Sequence, residues 1–365
     1  MPKIMLFPGD GVGPEVTAEA IKVLAAVERR FGLGFELESR AIGGDALDRF
    51  GVPLRAEDIE ATRSADAALL GAVGGPQWDA VEASLRPERG LLQIRKELGL
   101  FANLRPVSVL PALAASSPLK PEIVANVDLL VVRELTGGIY FGEPSRRWTD
   151  DRGRAAVDTL IYREHEIERI VRLAFELAGS RRGRVASVDK SNVLQSSRLW
   201  REIVNEVASE FPAVQLQHVL VDAMAMHLIK SPGEFDVIVT ENMFGDILTD
   251  EASVLPGSIG LLPSASLSEK VGHASGSRFG LYEPIHGSAP DIAGHGKANP
   301  AGAILSAALM LRWSLALDDA AGAVERAVVD AIAAGVRTPD IAEKETGPVS
   351  TAEFGDEVAR RVEAL

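Results

Sequence analysis

Ile4-Met5-Leu6-Phe7-Pro8-Gly9-Asp10-Gly11-Val12-Gly13-Pro14-Glu15 is the stretch that decides the fold. Ile4 to Phe7 is an apolar run of strand length, and Pro8 to Gly13 reads as a turn. Pro14 suits the first position of a helix, where a missing N–H leaves no bond unmade. Apolar residues at Val16, Ala20, Val23, Leu24, Val27 and Phe31 then recur at helical spacing until Gly32. Glycines between a strand and a helix, with Glu36 and Glu38 further on, invite a dinucleotide-binding fingerprint. The third glycine comes one place early, however, and Pro14 stands where that fingerprint has glycine. A structural turn is the better reading, and it sets the Rossmann fold aside.

Outward from this unit, Phe35 to Glu38 and Ala67 to Val73 read as further strands, the latter closed by Gly74-Gly75-Pro76. Strand alternating with helix predicts a largely parallel α/β sheet. Beyond Pro106, Asp128 to Glu134 is too apolar for an exposed edge strand. Ile139 to Gly142 reads as extended, with a return strand near Ala155 to Ile161. Such a protruding hairpin needs a partner, because a lone two-stranded ribbon is marginally stable. Helices at Glu164 to Ala178 and Arg198 to Ser209, with strands at Val185 to Val188 and Val214 to Val221, make a second alternating block. Asn299-Pro300 caps and starts a late helix through about Leu317.

The 365 residues are enough for two domains. With 38 basic and 52 acidic side chains the net charge is -14, which opposes nonspecific binding to nucleic acid or anionic membranes. An anionic ligand must therefore meet a local basic pocket. No cysteine is present, which removes disulfides, thiolate nucleophiles and thiolate-ligated zinc. Met1 to Phe7, broken at once by Pro8-Gly9, is too short for a signal peptide. The longest low-polarity run, Ala301 to Leu311, falls short of the roughly 20 residues that cross a bilayer. The expectation is a cytoplasmic protein.

In Glu241-Asn242-Met243-Phe244-Gly245-Asp246-Ile247-Leu248-Thr249-Asp250 two carboxylates lie four residues apart. If Asn242 caps a helix, Asp246 and Asp250 share one face, and Asp222 adds a third oxygen from a strand end. Oxygen donors suit Mg2+ or Mn2+, although spacing alone favours a solvated acidic face. Arg95 falls in a helix, Arg105 is held extended by Pro106, and Arg133 ends a buried strand. Three guanidinium forks on one cleft would bind a small dicarboxylate; three separate salt bridges are the alternative. Lys190 follows a strand at the carboxyl edge, where open α/β sheets bind ligands. Like charge nearby would lower its pKa and make it a base, whereas a plain surface lysine is the simpler reading. Tyr140 either donates a proton or anchors the hairpin. Glu283 to Gly294, rich in glycine, serine and proline, is a shaped loop whose amides can wrap a nucleotide.

Several motifs in order make nearly the whole chain resemble the decarboxylating β-hydroxyacid dehydrogenases, the isocitrate/isopropylmalate dehydrogenase family. They are Gly9 to Glu15, Gly90-Leu91-Leu92, Phe101-Ala102-Asn103-Leu104-Arg105-Pro106, Arg133 to Gly142, Asp189-Lys190, Asp222-Ala223-Met224, the acidic segment and His286-Gly287-Ser288-Ala289-Pro290-Asp291. The resemblance implies a two-domain α/β fold that is not Rossmann. Residues 1–104 plus 256–365 would form a discontinuous NAD-binding domain, and residues 105–255 a substrate, metal and dimerisation domain with the hairpin at the dimer contact. It implies NAD-dependent oxidation followed by loss of CO2, at sites shared within a homodimer. Asp222, Asp246 and Asp250 would hold Mg2+ or Mn2+, with Asp222 and Lys190 entering the partner's cleft. Lys190 would be the base, Tyr140 the acid that protonates the enolate, and Arg95, Arg105 and Arg133 the carboxylate clamp. NAD would meet Gly75, Glu88, Glu283, His286, Gly287, Ser288, Ala289, Asp291, Ile292 and Asn299, with Asp291 rejecting a 2′-phosphate. Glu88, Leu91, Leu92 and Val193 would contact the substrate's side chain. Two leucines favour a branched alkyl group, pointing to 3-isopropylmalate of leucine biosynthesis over isocitrate, whose third carboxylate needs polar partners. D-malate or tartrate is the alternative within the family, and a non-catalytic regulatory homologue the alternative of another class.

Overall fold

The computed structural model describes residues 1–271, 277–343 and 347–365. In chain order its elements are β1 (Lys3–Gly9), α1 (Gly13–Phe31), β2 (Glu36–Ser39), α2 (Gly43–Phe50), α3 (Ala56–Arg63), β3 (Ala67–Ala72), α4 (Pro87–Glu97), β4 (Leu100–Ser108), α5 (Pro121–Val124), β5 (Asp128–Glu134), β6 (Arg146–Asp150) and β7 (Gly153–Val157). There follow α6 (Glu164–Gly179), β8 (Arg184–Asp189), α7 (Gln195–Ala208), β9 (Gln215–Leu220), α8 (Val221–Lys230), β10 (Val237–Thr240), α9 (Asn242–Ser253), β11 (Pro263–Val271), β12 (Arg278–Pro284), α10 (Ala301–Trp313), α11 (Asp318–Ala333) and α12 (Thr351–Ala364). Contacts divide the chain into a first unit, Met1–Leu100 with Leu110–Ser116 and Pro256–Leu365, and a second, Phe101–Val109 with Ser117–Leu255. Leu110–Ser116 belongs with the first unit, where the Arg337 guanidinium donates to the Ala112 carbonyl at 3.0 Å.

Strands of the first unit run in the order β2-β1-β3-β12-β11, parallel except that β11 is antiparallel to β12. Met5, Phe7, Ala68, Leu70, Ile94 and Leu281 pack into one buried cluster; burying each of the larger side chains contributes about 1.5–3 kcal/mol. Helix α1 buries Val16, Ala20, Val23, Leu24 and Val27 and ends at Gly32, whose φ of 64° is left-handed. The preceding turn explains why the fold is not Rossmann. Val12 N–H donates to Ser288 O at 2.8 Å and Gly13 N–H to Asp10 O at 2.9 Å, while a Cβ on Gly11 would come within 2.0 Å of Ser288 O. The amides that would cradle a pyrophosphate at a helix N-terminus are taken by the chain's own backbone. Further on, Asn299 Oδ1 accepts from Ala301 N–H at 3.0 Å. The helix it starts ends at Trp313 rather than near Leu317, because Ser314 and Leu315 N–H both turn back to Met310 O.

The second unit has the order β4-β5-β10-β8-β9, with β4 antiparallel to β5 and the other pairs parallel. Strand β5 is buried from Leu129 to Glu134, and α6 and α9 both pack on it, which is why its sequence lacks a polar alternation. The hairpin starts later than expected, although its return strand overlaps the expected stretch at 155–157. Its strands are β6 and β7, pairing Arg146 with Val157 through Asp150 with Gly153. At Ile139–Gly142 the chain curls instead, because Gly138 has a φ of 79° and its carbonyl accepts from both Phe141 and Gly142 N–H. Among the described residues no helix is long and apolar enough to cross a membrane.

Candidate active site

Strand β5 delivers Arg133 to the end of a buried sheet, and α9 delivers the groups that meet it. The Arg133 guanidinium pairs with Asp246 Oδ1 and donates from Nε and a second nitrogen to Asn242 Oδ1, at 3.1 and 2.8 Å. The other Asp246 oxygen accepts from the Tyr140 hydroxyl at 2.9 Å. One carboxylate thus joins a guanidinium and a phenol. Burial first, then the bond to Asp246, pushes the Tyr140 phenol above its usual pKa, so it carries its proton at neutral pH. One turn along α9, Asp250 pairs with Arg105 at 3.4 Å; the same guanidinium donates to Thr249 Oγ1 and Asn103 Oδ1, both at 2.9 Å. Both arginines are mostly buried, whereas both aspartates are open to solvent.

Lys190 follows β8, where the buried Asp189 carboxylate takes Arg201 through two bonds of 2.8 and 3.0 Å and caps Ser191 N–H at 2.8 Å. The Lys190 ammonium reaches Asp222 Oδ1 at 2.7 Å, and this bond holds the Asp222 carboxyl below its usual range. Asp222 sits in the first turn of α8 rather than at a strand end, because β9 stops at Leu220. Val193 stands exposed nearby in sequence.

In the first unit, α4 places Glu88, Leu91, Leu92 and Arg95 on one face through i, i+3, i+4 and i+7 spacing. Leu92 is exposed, while Leu91 partly packs on the core. A Cβ on Gly74 would meet the Glu88 carboxylate at 2.8 Å, so that turn and Glu88 are neighbours; Gly75 follows in extended backbone. Arg95 pairs with Glu283 at the end of β12, at 2.5 Å, and its Nε is buried without a partner. Beyond β12 the loop is shaped by backbone. Ser288 O takes Val12 N–H, Ala289 has a φ of 38°, and Gly296 N–H donates to Glu15 Oε2 at 3.1 Å. Gly287 and Asp291 face solvent and Ile292 is half-buried. Asn299 also donates to Asp340 at 2.9 Å. Burial holds His286 below the usual imidazole pKa, with Nε2 buried and unpartnered.

Among the described residues no three Asp, Glu, His or Cys side chains come together in a way that could hold a metal ion, so one chain does not assemble Asp222 with Asp246 and Asp250. The last two nonetheless fit a hard divalent cation, being carboxylate oxygen donors one turn apart and open to solvent. Asn242 is not the helix cap: Glu241 is, its carboxylate accepting from Phe244 N–H at 2.7 Å. Sequence reading missed the residues that hold these groups in place. Glu134, fully buried, accepts from Thr136 N–H, Thr136 Oγ1 and Gly137 N–H, at 3.0, 2.7 and 2.7 Å, and pairs with Arg169 at 3.2 Å. Tyr162 lays its ring on Gly137 and Gly138, and its hydroxyl accepts from Asn242 N–H at 2.9 Å. Asp10 accepts from Gly44, Asp45 and Gly74 N–H, each at 2.8 Å, and so fixes the Gly74-Gly75 turn. Of these, Asp10 alone carried a signal in the sequence, as an acid between two glycines.

Carboxylates, guanidinium forks, a phenol and a lysine on an α/β fold outside the Rossmann group suit proton transfer on a small acid. A model of the family described as isocitrate/isopropylmalate dehydrogenase matches residues 3–358, and the chain belongs to that family. A 3-isopropylmalate dehydrogenase of Xanthomonas euvesicatoria is 57% identical over 357 residues, 98% of each chain. One of Bacillus subtilis is 58% identical over 344 residues, 94% of this chain and 92% of the relative. Among solved structures, an isocitrate dehydrogenase from Methylococcus capsulatus superposes with a TM-score of 0.86 at 34% identity over 100% of both chains.

Proposed function

We propose that this chain oxidises 3-isopropylmalate with NAD and a divalent cation and decarboxylates the product to 4-methyl-2-oxopentanoate, a step of leucine biosynthesis in the cytoplasm. The observation that carries the substrate choice is the α4 face, where the apolar side chains of Leu91 and Leu92 lie between Glu88 and Arg95. Burying an isopropyl group there contributes about 2 kcal/mol, at roughly 0.8 per carbon. The names of the full-length relatives support the same choice.

Arg95, Arg105 and Arg133 take the two substrate carboxylates through bidentate forks. The partner's Lys190 accepts the hydroxyl proton as the carbinol hydrogen leaves with its electron pair. Loss of CO2 then puts the electron pair of the broken C–C bond on the enolate, and Tyr140 delivers a proton to its carbon. Asp246, Asp250 and a partner's Asp222 would hold Mg2+ or Mn2+. When bound, the cation acidifies the substrate hydroxyl and the nicotinamide accepts hydride. Glu283 and the 286–292 loop, with Gly75 and Asn299, hold the dinucleotide, and Asp291 meets its adenosine ribose.

Two features of the second unit support a homodimer. Among the described residues no metal trio forms within one chain, and Met226 and Ile229 on α8, Ile247 on α9 and Val254 just past α9 are exposed, an apolar face that a second copy would cover. Purified protein with Mg2+ or Mn2+ and NAD should form NADH from 3-isopropylmalate at least tenfold more efficiently than from D-malate or isocitrate. A faster rate on either competitor overturns the assignment.

A further inference from the structure

Asn242 belongs to the most distinctive segment of the sequence, yet neither helix capping nor the proposed chemistry uses its side chain. It is almost fully buried and makes three bonds. Its Oδ1 accepts twice from the Arg133 guanidinium, at 3.1 and 2.8 Å, and its Nδ2 donates to the Gly137 carbonyl at 3.1 Å. Guanidinium has only donors and a carbonyl only acceptors, so both faces of the amide are fixed. Gly137 immediately precedes the Gly138–Tyr140 turn that carries the phenol.

We infer that Asn242 is a positioning residue that sets the substrate-binding Arg133 and the proton-donating Tyr140 in register with one another. The inference rests on the roles proposed above for those two residues. Asp246, one turn further along α9, makes a parallel link from Arg133 to the Tyr140 hydroxyl. Asp246 is also the proposed cation ligand, and a carboxylate drawn to a cation relaxes its hold on both. A neutral amide has no such competing task. It therefore keeps arginine and phenol registered when the site is loaded. An aspartate here would keep Arg133 but face Gly137 O with a second acceptor, and an alanine would serve neither partner. Misplacement of a reacting group by about 1 Å costs on the order of 100-fold, so the register matters most at the protonation step.

The test compares wild type with Asn242→Asp and Asn242→Ser, each as the purified full chain with Mg2+, NAD and 3-isopropylmalate, scoring KM, kcat and CO2 released per NADH. Wild type must first give one CO2 per NADH; failure there refutes the proposed reaction, not the register. Given that, Asn242→Asp should keep KM within about threefold while kcat falls tenfold or more and CO2 lags NADH, as unprocessed β-keto acid accumulates. Asn242→Ser should also raise KM. Placed on Tyr140→Phe, Asn242→Asp should produce no further lag, because both act on one step. A uniform loss with CO2 and NADH still matched, or an additive lag in the double variant, overturns the inference. Should the aspartate variant not fold, the serine variant decides: a change in KM alone, or in the CO2 ratio alone, counts against a shared register.

Discussion

Glu134→Ala should destabilise the second unit and loosen the Tyr140 turn together. The carboxylate is fully buried and collects Thr136 N–H, Thr136 Oγ1, Gly137 N–H and Arg169 on two oxygens. Removing it strands a buried backbone N–H at Gly137 and breaks a buried ion pair. Stranded groups cost about 1–3 kcal/mol each and broken buried pairs about 3–5 kcal/mol, so the overlapping terms give about 3–5 kcal/mol for the variant. Glu134→Gln keeps one acceptor but turns an NH2 toward a donor, and should cost about 1–3 kcal/mol. With a urea m-value of about 2–3 kcal/mol/M, the alanine midpoint should fall by about 1–2.5 M and the glutamine midpoint by less. Urea unfolding followed by circular dichroism measures both, and hydrogen exchange of the peptide spanning residues 134–140 locates the loosening. A midpoint shift under about 0.3 M for alanine, or glutamine as harmful as alanine, would refute the donor arithmetic.

Tyr140→Phe should spare NADH formation more than CO2 release; equal loss of both, scored in parallel assays, removes the phenol from the protonation step. NAD should be used well ahead of NADP: a unit-charge pair at 4 Å is worth about 4 kcal/mol at a dielectric near 20. Screening at the exposed Asp291 reduces this to about 1 kcal/mol or less, so Asp291→Ala should narrow the NAD:NADP ratio of kcat/KM by up to about fivefold, and an unchanged ratio denies the residue that role. His218 is held below the usual imidazole pKa by burial and by Arg201, so the unfolded chain binds more protons. Its contribution to stability is complete above about pH 6.5 and is lost as pH falls through the lower folded value. His218→Gln should flatten the decline in thermal midpoint between pH 7 and 5, and an unaltered slope contradicts it. Ile247→Glu should yield monomers by light scattering, with activity lost; an active monomer refutes the shared site.

Strand β1 and helix α1 were legible because a short apolar run, a proline at the first turn and a 3.6-residue stripe each act locally. Arg133 stood out for the same kind of reason, a charge at the end of an otherwise apolar strand. The first strand of the hairpin lies beyond Ile139, Tyr140 and Phe141, whose strand propensity is overridden by a left-handed glycine at Gly138 and by the Tyr162 ring. Asn242 has the preferences of a cap, yet Glu241 caps the helix, since only the packed fold brings Arg133 and Gly137 O to the amide.

Sequence by itself determined the α/β class, the departure from the Rossmann turn and the chemistry-bearing side chains, because composition, spacing and turn residues are properties of neighbours along the chain. Tertiary structure alone decided which groups meet: Asp246 with both Arg133 and Tyr140, Lys190 with Asp222, Arg95 with Glu283, and Glu134 beneath the turn. Those partners are separated by up to 188 residues, and charge–charge and hydrogen-bond energies depend on distances in space that only the packed sheet and helices set.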